Sequence, residues 1–254
     1  MPRVIRSLDG NIAVVSLHNP KAGNALTRPI YEQLCAAWEW VDATPEVRVV
    51  VFTAAGERHF CVGADMSALT EQGTLRVPGE QWKLTWRLAG VKKPVVVAIN
   101  GTAAGGGLGF VTDGDVVIAA RHARFLDTHT AVGQVCGYGA LRMVSIIGPS
   151  EATRVAIGGG VLSAERAHEL GLVNELADTA PEALARALEI AGAIANASPT
   201  AVAETLGLVR ALSRSAENDE TLRRADRVVD AHMRHPDASE GPRAWLDKRP
   251  AVWV

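Results

Sequence analysis

Cysteine is scarce in this chain. There are three, Cys35, Cys61 and Cys136, and their spacing follows no metal-ligand pattern. An odd count without a paired framework excludes a disulfide scaffold and fits a reducing compartment. Long apolar runs are missing too. No stretch is long and apolar enough to cross a membrane. Residues 1–6 carry no signal-peptide core. A cytoplasmic location without membrane association is expected. Positive charge is not in excess: the net charge is −2, which argues against a nucleic-acid partner. The spacing of a phosphate-binding P-loop is absent. The order Gly105-Gly106-Gly107-Leu108-Gly109 is not the dinucleotide fingerprint G-x-G-x-x-G. Internal repeats and low-complexity segments are lacking, and no metal site is expected.

What is present suffices for a large core: 48% of the 254 residues are hydrophobic. The informative stretch is 98–109. It follows Val95-Val96-Val97-Ala98-Ile99, a β-branched run of the kind buried on both faces of a sheet. A second apolar run, 116–120, comes after it. Gly105-Gly106-Gly107 therefore falls where a buried strand should turn into a buried helix. Glycine admits close approach of another group to the backbone. The first helical N–H groups lack partners, and the helix dipole adds to them. Such a turn is prepared for negative charge, standing or developing. A tight packing turn is the other reading.

Along the chain, 4–7 and 12–17 read as a hairpin around Asp9-Gly10-Asn11. Thr27 can cap a helix with Pro29 in its first turn and Leu34, Trp38 and Val41 at helical spacing. A strand follows at 47–53. The small-residue loop 54–65 ends at Asp65, a plausible helix start. Residues 71–80 look like a polar surface loop, and Trp82 and Trp86 suggest one face of a helix. Strand and helix alternate, which predicts an α/β fold with a mainly parallel sheet. Helical segments are expected at 140–147, 150–158, 164–170, 181–196 and 199–235, with one short strand near 173–176. The division expected is an α/β core over 1–195 and a C-terminal helical region over 196–254.

Five segments together resemble the crotonase family, which includes enoyl-CoA hydratases and isomerases. They are Asn19-Pro20-Lys21 with Asn24-Ala25-Leu26; Phe60-Cys61-Val62-Gly63-Ala64-Asp65-Met66; Ala98-Ile99-Asn100-Gly101 through Gly105-Gly106-Gly107; Ser163-Ala164-Glu165-Arg166-Ala167 with Gly171-Leu172-Val173; and Trp245-Leu246-Asp247-Lys248-Arg249-Pro250. The resemblance spans about 4–252. It implies a spiral of ββα units with a C-terminal helical trimerisation region, and a homotrimer or hexamer. It implies an acyl-CoA substrate, with coenzyme A as part of the substrate and no permanently bound cofactor. The shared chemistry is stabilisation of a thioester enolate by two backbone N–H groups, which fall here on Ala64 and Gly106. Binding of the coenzyme A portion falls on Lys21, Ala22, Arg58, Gly63, Ala64, Asp65, Met66, Gly105 and Lys248. Ser67 stands where many members carry lysine.

The chain departs from hydratases of that family at both acid/base positions. The first glutamate is replaced by Gly109, and the second by His129 in Leu126-Asp127-Thr128-His129. Glycine cannot move a proton. An imidazole changes charge near neutral pH and suits a general base. His129 is thus the candidate proton carrier and Asp127 its candidate orienting partner; both could instead be structural. Asp113, one helical turn beyond Gly109, and Tyr138 are further candidates to reach the pocket. His59 reads as an exposed flank of the coenzyme loop. Isomerisation of a double bond needs one proton carrier, so it suits this set better than hydration. Hydrolysis, decarboxylation and C–C cleavage stay open within the same family. The alternative is a catalytically silent acyl-CoA-binding scaffold or sensor.

Overall fold

The computed structural model describes residues 2–67, 69, 81–215 and 219–254. The expected loop at 71–80 lies outside the described residues. β1 (Arg3–Asp9) and β2 (Ile12–His18) form the expected antiparallel hairpin. α1 (Arg28–Ala43) begins at Thr27, whose side chain accepts from the Ile30 N–H, with proline in its first turn. Its inner stripe, Ile30, Leu34, Trp38 and Val41, is buried. β3 (Val49–Ala54) and β5 (Val95–Ile99) have every residue buried, as strands covered on both faces must. They join β7 (Val116–Ala120) and β10 (Glu175–Ala177) in a six-stranded sheet of order β1-β2-β3-β5-β7-β10, parallel from β2 onward.

A second, four-stranded sheet was not evident from the sequence. It comprises β4 (His59–Cys61), β6 (Thr102–Ala104), β8 (Arg124–Leu126) and β9 (Val161–Ser163). The chain repeatedly runs one strand in the large sheet and the next in the small one. The pairs β3/β4, β5/β6 and β7/β8 all do this, which is the expected spiral of ββα units. One expectation is corrected here. β5 does not lead straight into the glycine turn. Asn100 and Gly101 carry the chain into β6, and only then comes the turn that opens α2 (Gly107–Thr112).

One face of the large sheet packs on an aromatic cluster. Phe52 and Phe110 lie 4.8 Å apart between ring centres, with Trp38, Phe60 and Trp86 around them. On the other face, α6 (Ala180–Asn196) lays Ala183, Ala187, Ala191 and Ala195 against Val49, Val51, Val96, Ala98 and Ile118. The four-residue spacing keeps these alanines on one stripe, and their small side chains let the helix sit close. Residues 81–90 form bends and turns, not the helix suggested by Trp82 and Trp86. Trp86 is core; Trp82 stacks on Tyr31 at 4.5 Å.

α3 (Tyr138–Ile147), α4 (Pro149–Gly158) and α5 (Ala164–Glu169) follow the core. The tail is α7 (Pro199–Ser215), α8 (Asp219–His232) and α9 (Pro236–Leu246). The single run expected at 199–235 is therefore two helices, and α9 had no counterpart in the sequence reading. The tail folds back on its own core. Arg210 of α7 places Nη2 2.6 Å from Asp115 Oδ2 and donates to the Val91 carbonyl at 2.8 Å. α9 lies against the short 3-10 helix Thr130–Val132, so closely that a Cβ on Gly241 would stand 1.9 Å from the Val132 carbonyl oxygen. Among the described residues, no helix is long and apolar enough to cross a membrane.

Candidate active site

A cavity of about 980 Å³ lies between the coenzyme-type loop, the glycine turn and the tail. Its floor comes from two backbone segments. Leu26 forms an isolated parallel bridge with Ala64. The bridge bonds run from the Leu26 N–H to the Gly63 carbonyl and from the Asp65 N–H to the Leu26 carbonyl, both at 2.8 Å. The neighbours of Ala64 are thus committed to Leu26. The Ala64 N–H itself donates to no acceptor among the described residues, and Ala64 lines the cavity.

The second segment is the glycine turn. Gly105 has φ +51°, a left-handed conformation that an L side chain rarely adopts. Its N–H continues the small sheet to the Leu126 carbonyl at 3.2 Å. Gly107 packs so tightly on β4 that a Cβ would lie 2.2 Å from the Cys61 carbonyl oxygen. Between them, the Gly106 N–H has no acceptor among the described residues and lines the cavity. Two unpartnered N–H groups therefore border one space, the second of them capping α2. Donors fixed in advance are suited to an oxygen on which negative charge develops.

His129 stands beside this turn and lines the cavity; a Cβ on Gly105 would be 3.7 Å from its Cε1. Its Nδ1 lies 2.9 Å from Asp127 Oδ2 and 3.0 Å from Oδ1, and its backbone N–H also reaches Oδ1 at 2.9 Å. Asp127 is nearly sealed, with 1% of its side chain exposed against 29% for His129. Burial pushes the Asp127 carboxyl up. The hydrogen bonds and charge of His129, with the Cys136 thiol, outweigh that and hold it below its ordinary value. A carboxylate only accepts hydrogen bonds, so Nδ1 carries the ring proton and Nε2 the lone pair. The sequence placed Asp127 and His129 two residues apart, where an extended strand would only have put them on one face. The strand ends at Leu126, and His129 takes a helical conformation at the start of the 3-10 helix Thr130–Val132, which brings the two into contact.

Cys136 is a member of this cluster that sequence reasoning missed. Its thiol donates to Asp127 Oδ2 at 3.1 Å. Asp127, His129 and Cys136 each offer a ligand-type atom, all within 4.8 Å of one another. Hydrogen bonds already join them. The contact depends on how 133–137 folds back, which residue spacing does not reveal.

Other candidates fall differently. Asp113 does not line the cavity. It is fully buried, accepts a short hydrogen bond from Thr85, and stands 3.0 Å from Arg142 Nε in an ion pair without hydrogen-bond alignment. Burial raises its carboxyl, with Arg142 pulling the other way. Tyr138 lines the cavity, and Arg142 Nη1 donates to its hydroxyl at 3.1 Å. His59 is half-buried and lines the cavity, where burial and then Arg58 lower its pKa. It is not the exposed flank expected. Ala22, Gly63, Asp65, Met66 and Ser67 line the cavity as well. Lys21, Arg58 and Lys248 do not. Each is exposed one or two residues beyond a lining residue, Ala22, His59 and Leu246 respectively. Val229, Met233, Trp245 and Leu246 of the tail close one side; Trp245 and Leu246 belong to a segment that carries the family resemblance, whereas Val229 and Met233 had no signal of their own.

Comparison with known proteins agrees with the fold. The enoyl-CoA hydratase/isomerase family model matches residues 7–254. A mevalonyl-coenzyme A hydratase of Beauveria bassiana is 32% identical, over 96% of this chain and 91% of its own length. A 1,2-epoxyphenylacetyl-CoA isomerase of Escherichia coli is 31% identical, over 98% and 97%. Among solved structures, a carnitinyl-CoA hydratase from Mycobacterium avium superimposes with a TM-score of 0.84 at 29% identity, covering 98% of this chain and 97% of its own. An enoyl-CoA hydratase/isomerase from Pseudoalteromonas atlantica gives 0.86 at 26%, covering 99% of both. The chain belongs to the enoyl-CoA hydratase/isomerase family of enzymes, and its fold is that of the crotonases.

Proposed function

We propose that this enzyme moves a proton on the acyl portion of a coenzyme A thioester, with double-bond isomerisation as its reaction type. The observation that carries the reading is the His129–Asp127 pair set against the Gly105–Gly106 turn. The thioester oxygen is held by the N–H groups of Ala64 and Gly106. His129 Nε2 removes a proton from the carbon next to the carbonyl. The electron pair spreads into the thioester oxygen, and the two N–H groups stabilise the charge that forms there. In a 3-enoyl thioester the resulting dienolate takes the same proton back at the γ carbon and leaves a 2-enoyl thioester. One imidazole serves both steps, and Asp127 holds the imidazolium between them.

Hydration needs more. A water must lose a proton as it attacks, while the substrate carbon gains one, which two-glutamate members divide between two groups. At the first of those positions Gly109 offers none. The coenzyme A portion runs along Ala22, Gly63, Asp65 and Met66, with the exposed cations Lys21, Arg58 and Lys248 placed to meet its phosphates at the mouth. Coenzyme A enters as part of the substrate, and the working assembly is a homotrimer or hexamer.

The test is a panel of acyl-CoA and enoyl-CoA thioesters incubated with purified protein and read by mass spectrometry and NMR. A product of unchanged mass and shifted double bond supports the proposal. Binding without turnover of any thioester would leave the silent scaffold in its place.

A further inference from the structure

Gly109 is a glycine that neither its backbone nor its packing requires. It lies inside α2 and is not among the residues with positive φ. Among the described residues, a Cβ built on it would touch only Thr85 Cγ2, at 3.6 Å, an ordinary contact. The tight approach of α2 and α3 is set from the other side, where a Cβ on Gly139 would stand 2.8 Å from the Gly109 nitrogen. Within a helix, glycine is less favourable than alanine. The missing side chain therefore serves something other than the fold, and Gly109 lines the cavity.

Its position tells what the space is for. Gly109 comes three residues after Gly106, a rise of about 4.5 Å along the helix. On the reading given above, the acyl carbonyl oxygen sits at the Gly106 N–H, so the carbons beyond it pass Gly109. The wall there is apolar. Trp82, Leu84, Leu88 and Val135 line the cavity, and Thr85 turns its methyl to Gly109 while its hydroxyl is spent on Asp113. Among the described lining residues there is no lysine or arginine, and Asp65 and Asp226 are acidic. A second carboxylate on the acyl group would meet no lysine or arginine among the described lining residues and would lose its hydration against a mostly apolar wall.

We infer that Gly109 is a specificity-determining residue: the space it leaves admits bulky apolar acyl groups, branched or aromatic close to the thioester, and the wall around it rejects acyl groups ending in a carboxylate. This rests on the proposed thioester site.

Binding of non-reacting thioesters by calorimetry tests it, with butyryl-, isovaleryl-, phenylacetyl- and succinyl-CoA and free coenzyme A as probes. The unaltered protein should bind phenylacetyl-CoA at least as tightly as butyryl-CoA, and both at least about tenfold more tightly than succinyl-CoA. Gly109→Leu should weaken phenylacetyl-CoA at least about tenfold, with free coenzyme A changed less than about threefold. Gly109→Ala should give a smaller loss in the same order, and alanine keeps the helix folded. An equal loss for all probes in both variants overturns the inference, as does no loss, or succinyl-CoA bound as tightly as phenylacetyl-CoA. A protein that binds neither coenzyme A nor any thioester overturns the proposed function, and this inference falls with it.

Discussion

Gly105 and His129 meet at the edge of the cavity: where Gly105 has only hydrogen, a Cβ would stand 3.7 Å from Cε1 of the imidazole. The next residue, Gly106, presents its N–H to the same cavity. On the proposed function, the base and one oxyanion donor are therefore adjacent in space because they are adjacent to one residue. Proton removal next to a carbonyl requires that juxtaposition.

The partner of the base sets the first prediction. Asp127→Asn keeps the shape but offers an amide where Nδ1 needs a carboxylate. The imidazolium loses its countercharge and the tautomer its fixed choice. kcat should fall by at least ~100-fold with little change in thioester binding. The variant is measured beside the unaltered protein on the same isomerisation.

The same carboxylate predicts a pH dependence of stability. Asp127 is held below its ordinary value of 3.8 in the folded protein. A depressed carboxylate contributes stability that is present above the unfolded value and lost as pH falls through the folded one. The urea-midpoint gap between unaltered protein and Asp127→Asn should shrink as pH falls below about 4. A gap that does not narrow as pH falls below about 4 would contradict the assignment.

Ala64→Pro removes one N–H and no bond of the Leu26 bridge, because that bridge uses the Gly63 carbonyl and the Asp65 N–H. Turnover should drop on the order of 100–1000-fold, as when one oxyanion donor is lost. Circular dichroism should be unchanged. Full activity would take Ala64 out of the oxyanion site.

Crotonyl-CoA hydration should be poor, because a positioned acid or base is worth roughly 100–10,000-fold and position 109 supplies none. His129→Glu alone should not create a hydratase. Gly109→Glu together with His129→Glu restores both carboxylates and should raise hydration above either single change. The space at Gly109 permits it, since among the described residues a Cβ there makes only one ordinary contact, at 3.6 Å.

Much of this was legible in the sequence, for identifiable reasons. The hairpin, the Thr27 cap and the doubly buried β3 and β5 announce themselves through turn chemistry and periodicity. The Gly105–Gly107 turn was readable because consecutive glycines before an apolar helix have few other uses. The small sheet as a whole was not: apart from the strand readable within 123–129, which is β8, its strands of three residues are too short to show a period of two. Asp113 follows α2 one turn beyond Gly109, as expected, yet it is buried against Thr85 and Arg142 and does not line the cavity. Cys136 gave no signal because its partner is chosen by a loop. The tail residues Val229, Met233 and Trp245 look like any helical surface until the tail folds back.

The most direct test of the central claim is hydrogen exchange at carbon, because it reports enolate formation whatever the final product. The protein is incubated in D₂O with a 3-enoyl-CoA thioester, and deuterium in recovered substrate and product is read by mass spectrometry. The account predicts incorporation at the α and γ carbons by the unaltered protein, slowed at least ~100-fold in His129→Gln, which binds the thioester as before. Absence of exchange in the unaltered protein, or equal exchange in His129→Gln, would contradict it.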